Sequence, residues 1–194
     1  ETERLHVLHK LEQGLSRANH LIEQLLTLAR IDPGEFTAQS QSIDWATVSE
    51  RALSDVSISA REKQIQLKRV YRSGNPESSL PVQGDAMLLS LLLRKVRYSP
   101  PGSVVTLHLD VDSVAVLDNG PGLDPAVLVR VCERFYRPPG QKEQGSGLGL
   151  SIAERIASLH QLRLHLANRP EGGLAAYLSR QSHEHDDAGG PSSL

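Results

Sequence analysis

Apolar residues recur at spacings of three and four along residues 3–31, from Leu8 to Ala29. This spacing is the heptad seam of a coiled coil or helical hairpin, and it predicts one long helix that ends at Asp32-Pro33-Gly34. An ordinary amphipathic core helix would also carry an apolar stripe. A stripe this wide on a single helix leaves apolar surface exposed, so we expect the helix to pack against a partner.

After residue 43 the pattern changes to shorter elements of mixed type. Asp44 and Asp85 stand at N-cap positions, and residues 35–43 have the composition of a polar linker. The predicted helices cover residues 45–63, 86–96, 125–134 and 148–160, and the predicted strands cover residues 65–71, 104–109, 113–117, 162–167 and 174–179, with a short strand ending at Val82. This order predicts an α+β sandwich, a mixed sheet with helices on one face, preceded by a bundle helix.

Composition excludes several classes of protein. Hydrophobic residues make up 39% and charged residues 23% of the 194 positions, and the net charge of −2 gives no basic excess for nucleic acid. A single cysteine, Cys132, excludes an internal disulfide. No apolar run approaches the ~20 residues of a membrane span. The chain begins at Glu1 without a methionine, so we expect a soluble piece of a longer protein.

A strand end followed by a glycine turn supplies the first candidate chemistry. Asp118 stands after the strand over residues 113–117, and Asn119-Gly120-Pro121-Gly122 follows it. A buried carboxylate can accept a hydrogen bond from the exocyclic amine of adenine, and glycines allow the backbone to approach the base. Taken alone, the same residues would also suit a hairpin turn.

A second glycine-bearing motif, Gly145-Ser146-Gly147-Leu148-Gly149, leads directly into a predicted helix. Such a loop directs backbone N–H groups and the helix dipole toward phosphate, although alone it would also suit a plain helix cap. It has neither a Walker lysine nor the βαβ context of a dinucleotide site. With Glu133-Arg134-Phe135-Tyr136-Arg137 between the two motifs, the order predicts an ATP site with residues 138–144 as a mobile lid.

These motifs together resemble the catalytic region of bacterial two-component sensor histidine kinases, most of all those of the QseC type. The residues that carry the resemblance are Gln83-Gly84-Asp85, Arg97-Tyr98-Ser99-Pro100 and the segments 118–122, 133–140 and 145–151. The resemblance implies the Bergerat ATP-binding sandwich, which gyrase-like ATPases share. It divides the chain into a partial second helix of the dimerisation and histidine-phosphotransfer domain (1–32), a catalytic ATP-binding domain (33–181) and a disordered tail (182–194).

The resemblance also implies roles for individual residues. Phe135 would anchor the lid, and Arg137 would reach phosphate from it. The implied ATP-binding residues are Asp118, Gly120 and Gly122 on the adenine side, Arg97 and Tyr98 along the nucleotide, Phe135 and Arg137 at the lid, and Gly145, Gly147, Leu148 and Gly149 on the phosphate side.

The activity implied by the resemblance is that of an ATP-dependent protein-histidine kinase with Mg²⁺. Such an enzyme transfers the γ-phosphoryl group of ATP to a histidine and then to an aspartate of a response regulator receiver domain. The resemblance further implies a homodimer formed through residues 3–31, no nucleic acid partner, and a place in the cytoplasmic portion of a bacterial inner-membrane protein.

The chain departs from the family pattern at the phosphoacceptor. None of its eight histidines stands in the family's phosphoacceptor context, so no catalytic histidine is expected and the chain alone should not autophosphorylate.

The asparagine box is also disrupted. Lys95-Val96 leads straight into Arg97-Tyr98, where relatives carry about five more residues, among them two asparagines that hold Mg²⁺ and phosphate. A lysine offers Mg²⁺ no oxygen ligand, so no metal site is expected near Lys95. Five helical residues also correspond to ~7.5 Å of rise, so Arg97 and Tyr98 reach their family positions only if the helix ends early or unwinds. An engineered deletion, degeneration of a natural kinase and an omission of residues each fit this gap.

Two alternative functions stay open. One is a nucleotide-dead module for dimerisation or regulator binding, which the disrupted asparagine box favours and the glycine motifs oppose. The other is a gyrase- or chaperone-like ATPase on the same fold, which the short chain, the bundle helix and Phe135 argue against.

Overall fold

A computed structural model of the chain describes residues 41–72, 80–95, 99–138 and 146–180, together with single positions between residues 4 and 29. For residues 92, 94 and 95 only the backbone is described. The described positions up to residue 29 are helical, in agreement with the predicted helix. The predicted tail and most of the predicted lid lie outside the described residues, as do Arg97, Tyr98 and Gly145. Within the described part, no helix has the length and hydropathy needed to cross a membrane.

The described elements follow the predicted order closely. The helices are α1 (Trp45–Glu62), α2 (Ala86–Lys95), α3 (Pro125–Arg130) and α4 (Gly149–Leu159), and the strands are β1 (Gln41–Ser42), β2 (Gln66–Tyr71), β3 (Gln83–Gly84), β4 (Val104–Leu109), β5 (Ser113–Asp118), β6 (Leu162–Asn168) and β7 (Leu174–Arg180). Five strands form a mixed sheet in the order β2-β4-β5-β7-β6, in which only β2 and β4 run parallel. The predicted mixed sheet is therefore confirmed.

Three predicted bounds were wrong. The predicted linker contains β1, which pairs with β3, and the predicted strand at Val82 lies at Gln83–Gly84 instead. Helix α3 ends at Arg130 and not at residue 134. It ends early because Phe135 adopts a left-handed backbone (φ +64) and donates its N–H to the carbonyl of Gly147 at 3.0 Å. A helical continuation through Phe135 would lose this long-range bond.

The main core unites helices α1, α2 and α4 with the sheet. Its most buried members, at most 2% exposed, include Trp45, Leu89, Leu109, Ile152 and Leu178. Burying large apolar side chains is the dominant favourable term in folding, so this core fixes the framework that carries the loops at the end of β5.

The predicted N-caps of two helices are confirmed. Asp44 accepts hydrogen bonds from the N–H groups of Ala46 (2.9 Å) and Thr47 (3.3 Å) at the start of α1. Asp85 accepts from Met87 (2.7 Å) and Leu88 (3.1 Å) at the start of α2. A capping carboxylate satisfies N–H groups that the first turn of a helix leaves without partners.

The buried side chain of His160 joins α4 to the start of α2. Its Nε2 accepts from the N–H of Asp85 at 3.0 Å, and its Nδ1 lies 2.7 Å from the carbonyl of Ile156. These partners fit the neutral tautomer with the proton on Nδ1. His160 is therefore a structural residue that links the two helices.

Candidate functional site

A cavity of about 320 Å³ opens beside the end of β5. Its walls come from Asp118, the loop 121–123, residues 136–138 and the start of α4, with Pro100 and Leu174 completing them. The two motifs singled out in the sequence thus meet at one cavity. Most of the wall is apolar, with a few polar groups among it, which is typical of a small-molecule site.

The carboxylate of Asp118 lies in the wall of this cavity and is 8% exposed. Its Oδ1 accepts from the N–H groups of Gly120 (2.7 Å) and Leu174 (3.1 Å). Both bonds use Oδ1, so within the described residues Oδ2 is the oxygen left to accept a hydrogen bond from a ligand. A carboxylate held rigidly in this way can recognise a donor such as an aromatic amine.

Gly122 approaches Asn168 more closely than any other residue type could. Its φ is +74, and a Cβ at this position would lie 2.7 Å from Oδ1 of Asn168. That oxygen accepts from the N–H of Leu123 at 2.8 Å, and Nδ2 of Asn168 donates to the carbonyl of Leu123 at 2.6 Å. Asn168 therefore fixes the loop 121–123 in place.

The turn between β6 and β7 contacts the backbone carbonyl of Asp118. Gly173 has φ +97, and a Cβ there would lie 2.0 Å from the carbonyl oxygen of Asp118. That same oxygen accepts from Nη1 of Arg169 at 2.6 Å. The sequence analysis did not identify the part that Asn168, Arg169 and Gly173 play at the site.

The two ends of the predicted lid are joined by backbone. The N–H of Phe135 donates to the carbonyl of Gly147. Gly147 has φ +72, and a Cβ at this position would lie 2.6 Å from the carbonyl carbon of Phe135, so only glycine fits without a clash. Phe135 is 67% exposed and is not among the residues that line the cavity. Phe135 thus contributes its backbone to this junction, whereas its neighbour Tyr136 lines the cavity.

The glycine loop presents the N-terminus of α4 to the cavity through Gly147 and Gly149. Leu148 is 1% exposed and packs in the core. Its N–H donates to Oγ of Ser146 at 3.2 Å, and that hydroxyl in turn donates to Oε1 of Gln24 in the N-terminal helix. Within the described residues no side chain caps α4, so its first turn can receive an anion.

Of the eleven predicted ATP-binding residues, eight are described, and five of those eight line the cavity. Gly120 lies beside the cavity against Pro100, while the side chains of Phe135 and Leu148 lie outside its lining. Those that line the cavity are Asp118, Gly122, Arg137, Gly147 and Gly149.

The described residues that line the cavity do not fit a magnesium ion. Asp118 is the only carboxylate among the described cavity-lining residues, and the described residues contain no group of three or more His, Cys, Asp or Glu side chains that could hold a metal. Magnesium requires near-octahedral oxygen ligation. Helix α2, where the resemblance placed the asparagines, ends at Lys95.

Two further titratable groups are perturbed by their surroundings. Burial, reinforced by the negative charge of Glu154, raises the pKa of the Cys132 thiol to about 11. Burial also lowers the pKa of His108, and the charges of Arg72 and Arg169 lower it further. Cys132 is therefore a neutral thiol and not a nucleophile at neutral pH.

Comparisons with known proteins agree with this geometry. Residues 85–181 match the family model described as histidine kinase-, DNA gyrase B-, and HSP90-like ATPase. The chain is 41% identical to the sensor protein QseC of Escherichia coli (strain K12) over 175 residues, which cover 88% of this chain and 38% of that protein. It is 32% identical to the sensor protein kinase PmrB of Pseudomonas aeruginosa over 172 residues, or 84% of this chain and 35% of that protein.

Two solved structures that are similar to this chain are also of sensor histidine kinases. The cytoplasmic segment of the histidine kinase QseC is 31% identical with a TM-score of 0.58, and the match covers 88% of this chain and 96% of that one. The mycobacterial sensor histidine kinase MprB is 27% identical with a TM-score of 0.54, covering 73% and 98%.

The chain therefore belongs to the family of histidine kinase-, DNA gyrase B- and HSP90-like ATPases, as the ATP-binding catalytic domain of a sensor histidine kinase. It spans about two fifths of the length of the curated relatives it matches.

Proposed function

We propose that this chain binds the adenine nucleotide for a two-component sensor kinase and that it does so from the adenine side, without Mg²⁺. The whole protein would transfer the γ-phosphoryl group of ATP to a histidine outside this chain and then to an aspartate of a response regulator. The observation that carries the proposal is the rigid carboxylate of Asp118, held by two backbone N–H groups in a cavity between two glycine loops.

Each part of the cavity has a role in this proposal. Oδ2 of Asp118 accepts from the exocyclic amine of adenine, and Gly122 allows the base to approach the backbone. The start of α4 at Gly147 and Gly149 receives the phosphates through its N–H groups and dipole. Arg137, at the cavity wall, adds positive charge beside them.

This chain by itself is not expected to transfer a phosphoryl group. In-line transfer requires the developing charge to be neutralised, which kinases achieve with metal ions. The described residues of the cavity do not fit such an ion, so we expect this chain to bind a nucleotide without transferring its γ-phosphoryl group.

Residues 1–32 are proposed to be the second helix of a dimerisation hairpin, and residues 33–181 the catalytic domain. The support is an apolar stripe that faces solvent along the helix. Its exposed members are Val7, Leu8, Leu11, Leu15, Ile22 and Leu26. Such a stripe would be covered in a homodimer and would lie near the place where a receiver domain docks. We further propose that the whole protein is a bacterial inner-membrane protein and that this part of it lies in the cytoplasm.

A second function, a nucleotide-dead interaction module, is favoured by one observation. Helix α2 ends at Lys95, and Lys95-Val96 leads straight into Arg97-Tyr98, where the family resemblance implies about five more residues. In that case the sandwich would serve only to position the N-terminal helix.

Calorimetric titration with a non-hydrolysable ATP analogue separates these functions. We expect binding of equal affinity in Mg²⁺ and in EDTA. Asp118→Asn removes the charged acceptor and should weaken binding about tenfold or more, because hydrogen bonds to charged groups contribute about 1.5–3 kcal/mol. Absence of any heat with the unsubstituted chain would favour the interaction module.

A repaired variant provides the matched control for magnesium. It carries Lys95→Asn followed by inserted Leu-Leu-Asp-Asn-Ala, which restores the family pattern. We expect its affinity to become dependent on Mg²⁺ while remaining sensitive to Asp118→Asn. Magnesium dependence in the unrepaired chain would contradict the proposal, because it would require a metal site elsewhere in the chain.

A further inference from the structure

We propose that Arg130 is a positioning residue for the nucleotide, because it holds the ring of Tyr136 as one wall of the cavity. This inference rests on the nucleotide binding proposed above. Neither the sequence motifs nor the family resemblance singled out Arg130, which lies at the end of α3.

Hydrogen bonds fix the backbone at Tyr136 and at the residue before it. The preceding residue, Phe135, is tied to the carbonyl of Gly147 by its N–H, and the N–H of Tyr136 donates to the carbonyl of Glu133 at 3.3 Å. Tyr136, Arg137 and Pro138 all line the cavity. Fixed backbone alone leaves the rotamer of the ring undetermined.

Arg130 lies over one face of the Tyr136 ring. Its guanidinium carbon lies 4.3 Å from the centroid of the Tyr136 ring, within the range of a cation–π contact. Glu133 holds the guanidinium in place from the same turn, with Nε 3.2 Å from both carboxylate oxygens and Nη2 3.0 Å from Oε2. Glu133, Arg130 and Tyr136 are thus joined in one chain of contacts, and Tyr136 is the member that lines the cavity.

Stability does not account for this chain of contacts. The side chains of Arg130 and Glu133 are 55% and 52% exposed, and exposed ion pairs contribute little to folding. Loss of Arg130 should therefore leave the fold intact while the ring of Tyr136 samples more rotamers. Binding would then have to order that ring, which lowers affinity.

The test is a double-mutant cycle on affinity for the ATP analogue, measured by calorimetry in EDTA. We expect Arg130→Ala to weaken binding about three- to tenfold, the cost of ordering one side chain, with an unchanged thermal midpoint. In the Tyr136→Ala background the same substitution should have no further effect. Arg130→Lys, which keeps the cation but cannot bind Glu133 bidentately, should fall between. Arg51→Ala, an exposed arginine on α1, is the matched control and should bind as the parent does.

Three outcomes would overturn the inference, and they differ in what they say of the proposed function. Unchanged affinity in Arg130→Ala, with a parent chain that binds, overturns the positioning role alone. A loss that persists in the Tyr136→Ala background would mean that Arg130 attracts the phosphates directly by its charge. A parent chain that does not bind would overturn the positioning role together with the proposed function.

Discussion

At the scale of single residues, the site depends on glycines that bring backbone segments into contact. Gly173 illustrates this most sharply, since a Cβ there would lie 2.0 Å from the carbonyl oxygen of Asp118. The strand end that carries the carboxylate and the β6–β7 turn can therefore approach each other only if residue 173 has no side chain.

We expect Gly173→Ala to lower the free energy of unfolding by about 3 kcal/mol or more, because backbone strain at positive φ adds to a steric clash. Gly102→Ala is the matched control. Gly102 also has a positive φ (+79) but nothing lies within 4 Å of the added Cβ, so only the strain of about 1 kcal/mol remains. Urea unfolding of both variants measures the difference. Equal losses would show that the contact with Asp118 relaxes at no cost.

The same residues show which parts of the site the sequence could predict. Asp118 and the glycines after it could be found because one short segment contains both the carboxylate and the turn. Asn168 and Arg169 could not, because they act on Leu123 and Asp118, 45 and 51 residues away along the chain. An asparagine at a strand end carries no local sign that both groups of its amide bind a distant loop.

At the scale of elements, local signals predicted where helices begin better than where they end. Asp44, Asp85 and Pro125 marked three starts correctly because a cap acts on the next turn of its own helix. The end of α3 was missed because Phe135 forms its bond with Gly147, a tertiary contact that no pattern within the helix reveals. Similarly, β1 was missed because a two-residue strand has too few residues to show a period.

The cap of α1 predicts a pH dependence of stability. The hydrogen bond from the Thr47 hydroxyl, aided by the N–H groups of Ala46 and Thr47, lowers the pKa of Asp44 below its ordinary value of 3.8 despite some desolvation. A lowered folded-state pKa means that the stabilisation is present above the unfolded-state pKa and is lost as the pH falls through the folded-state pKa.

We therefore expect Asp44→Ala to cost about 1 kcal/mol at pH 7 and progressively less as the pH falls into the acid range below about 4. Urea unfolding of both proteins between pH 7 and pH 2.5 measures the difference. Thr47→Ala removes the bond of 2.5 Å from the hydroxyl to Oδ2 and should reduce this pH dependence. A difference between parent and Asp44→Ala that stays constant with pH would show that the cap does not depend on the charge of Asp44.

At the scale of the whole molecule, a hydrogen bond between described residues joins the N-terminal helix to the glycine loop. Gln24 is 3% exposed, which is unusual for a glutamine, and its Oε1 accepts from the hydroxyl of Ser146. The same hydroxyl accepts from the N–H of Leu148, just before α4 begins. The position of the helix is thereby linked to the loop that would receive phosphate.

A double-mutant cycle tests this link. Gln24→Ala and Ser146→Ala each remove the hydrogen bond between the two side chains, so each should lower the free energy of unfolding by about 0.5–1.5 kcal/mol. The cycle matters because both side chains have further contacts, and only the non-additive part, about 1 kcal/mol, belongs to their shared bond. Gln66→Ala, an exposed glutamine at the start of β2, is the control and should change stability little.

Hydrogen exchange at Leu148 distinguishes a structural bond from a coupling between helix and loop. If the helix holds the loop through Ser146, Gln24→Ala should accelerate hydrogen exchange of the Leu148 amide. The reason is that the Ser146 hydroxyl, which accepts from this amide, would lose its own hydrogen bond to Gln24. Exchange at buried positions of α4 such as Ile156 should not change. Additive single effects together with unchanged exchange at Leu148 would mean that helix and loop are only neighbours, and that movement of the helix is not transmitted to the phosphate side of the cavity.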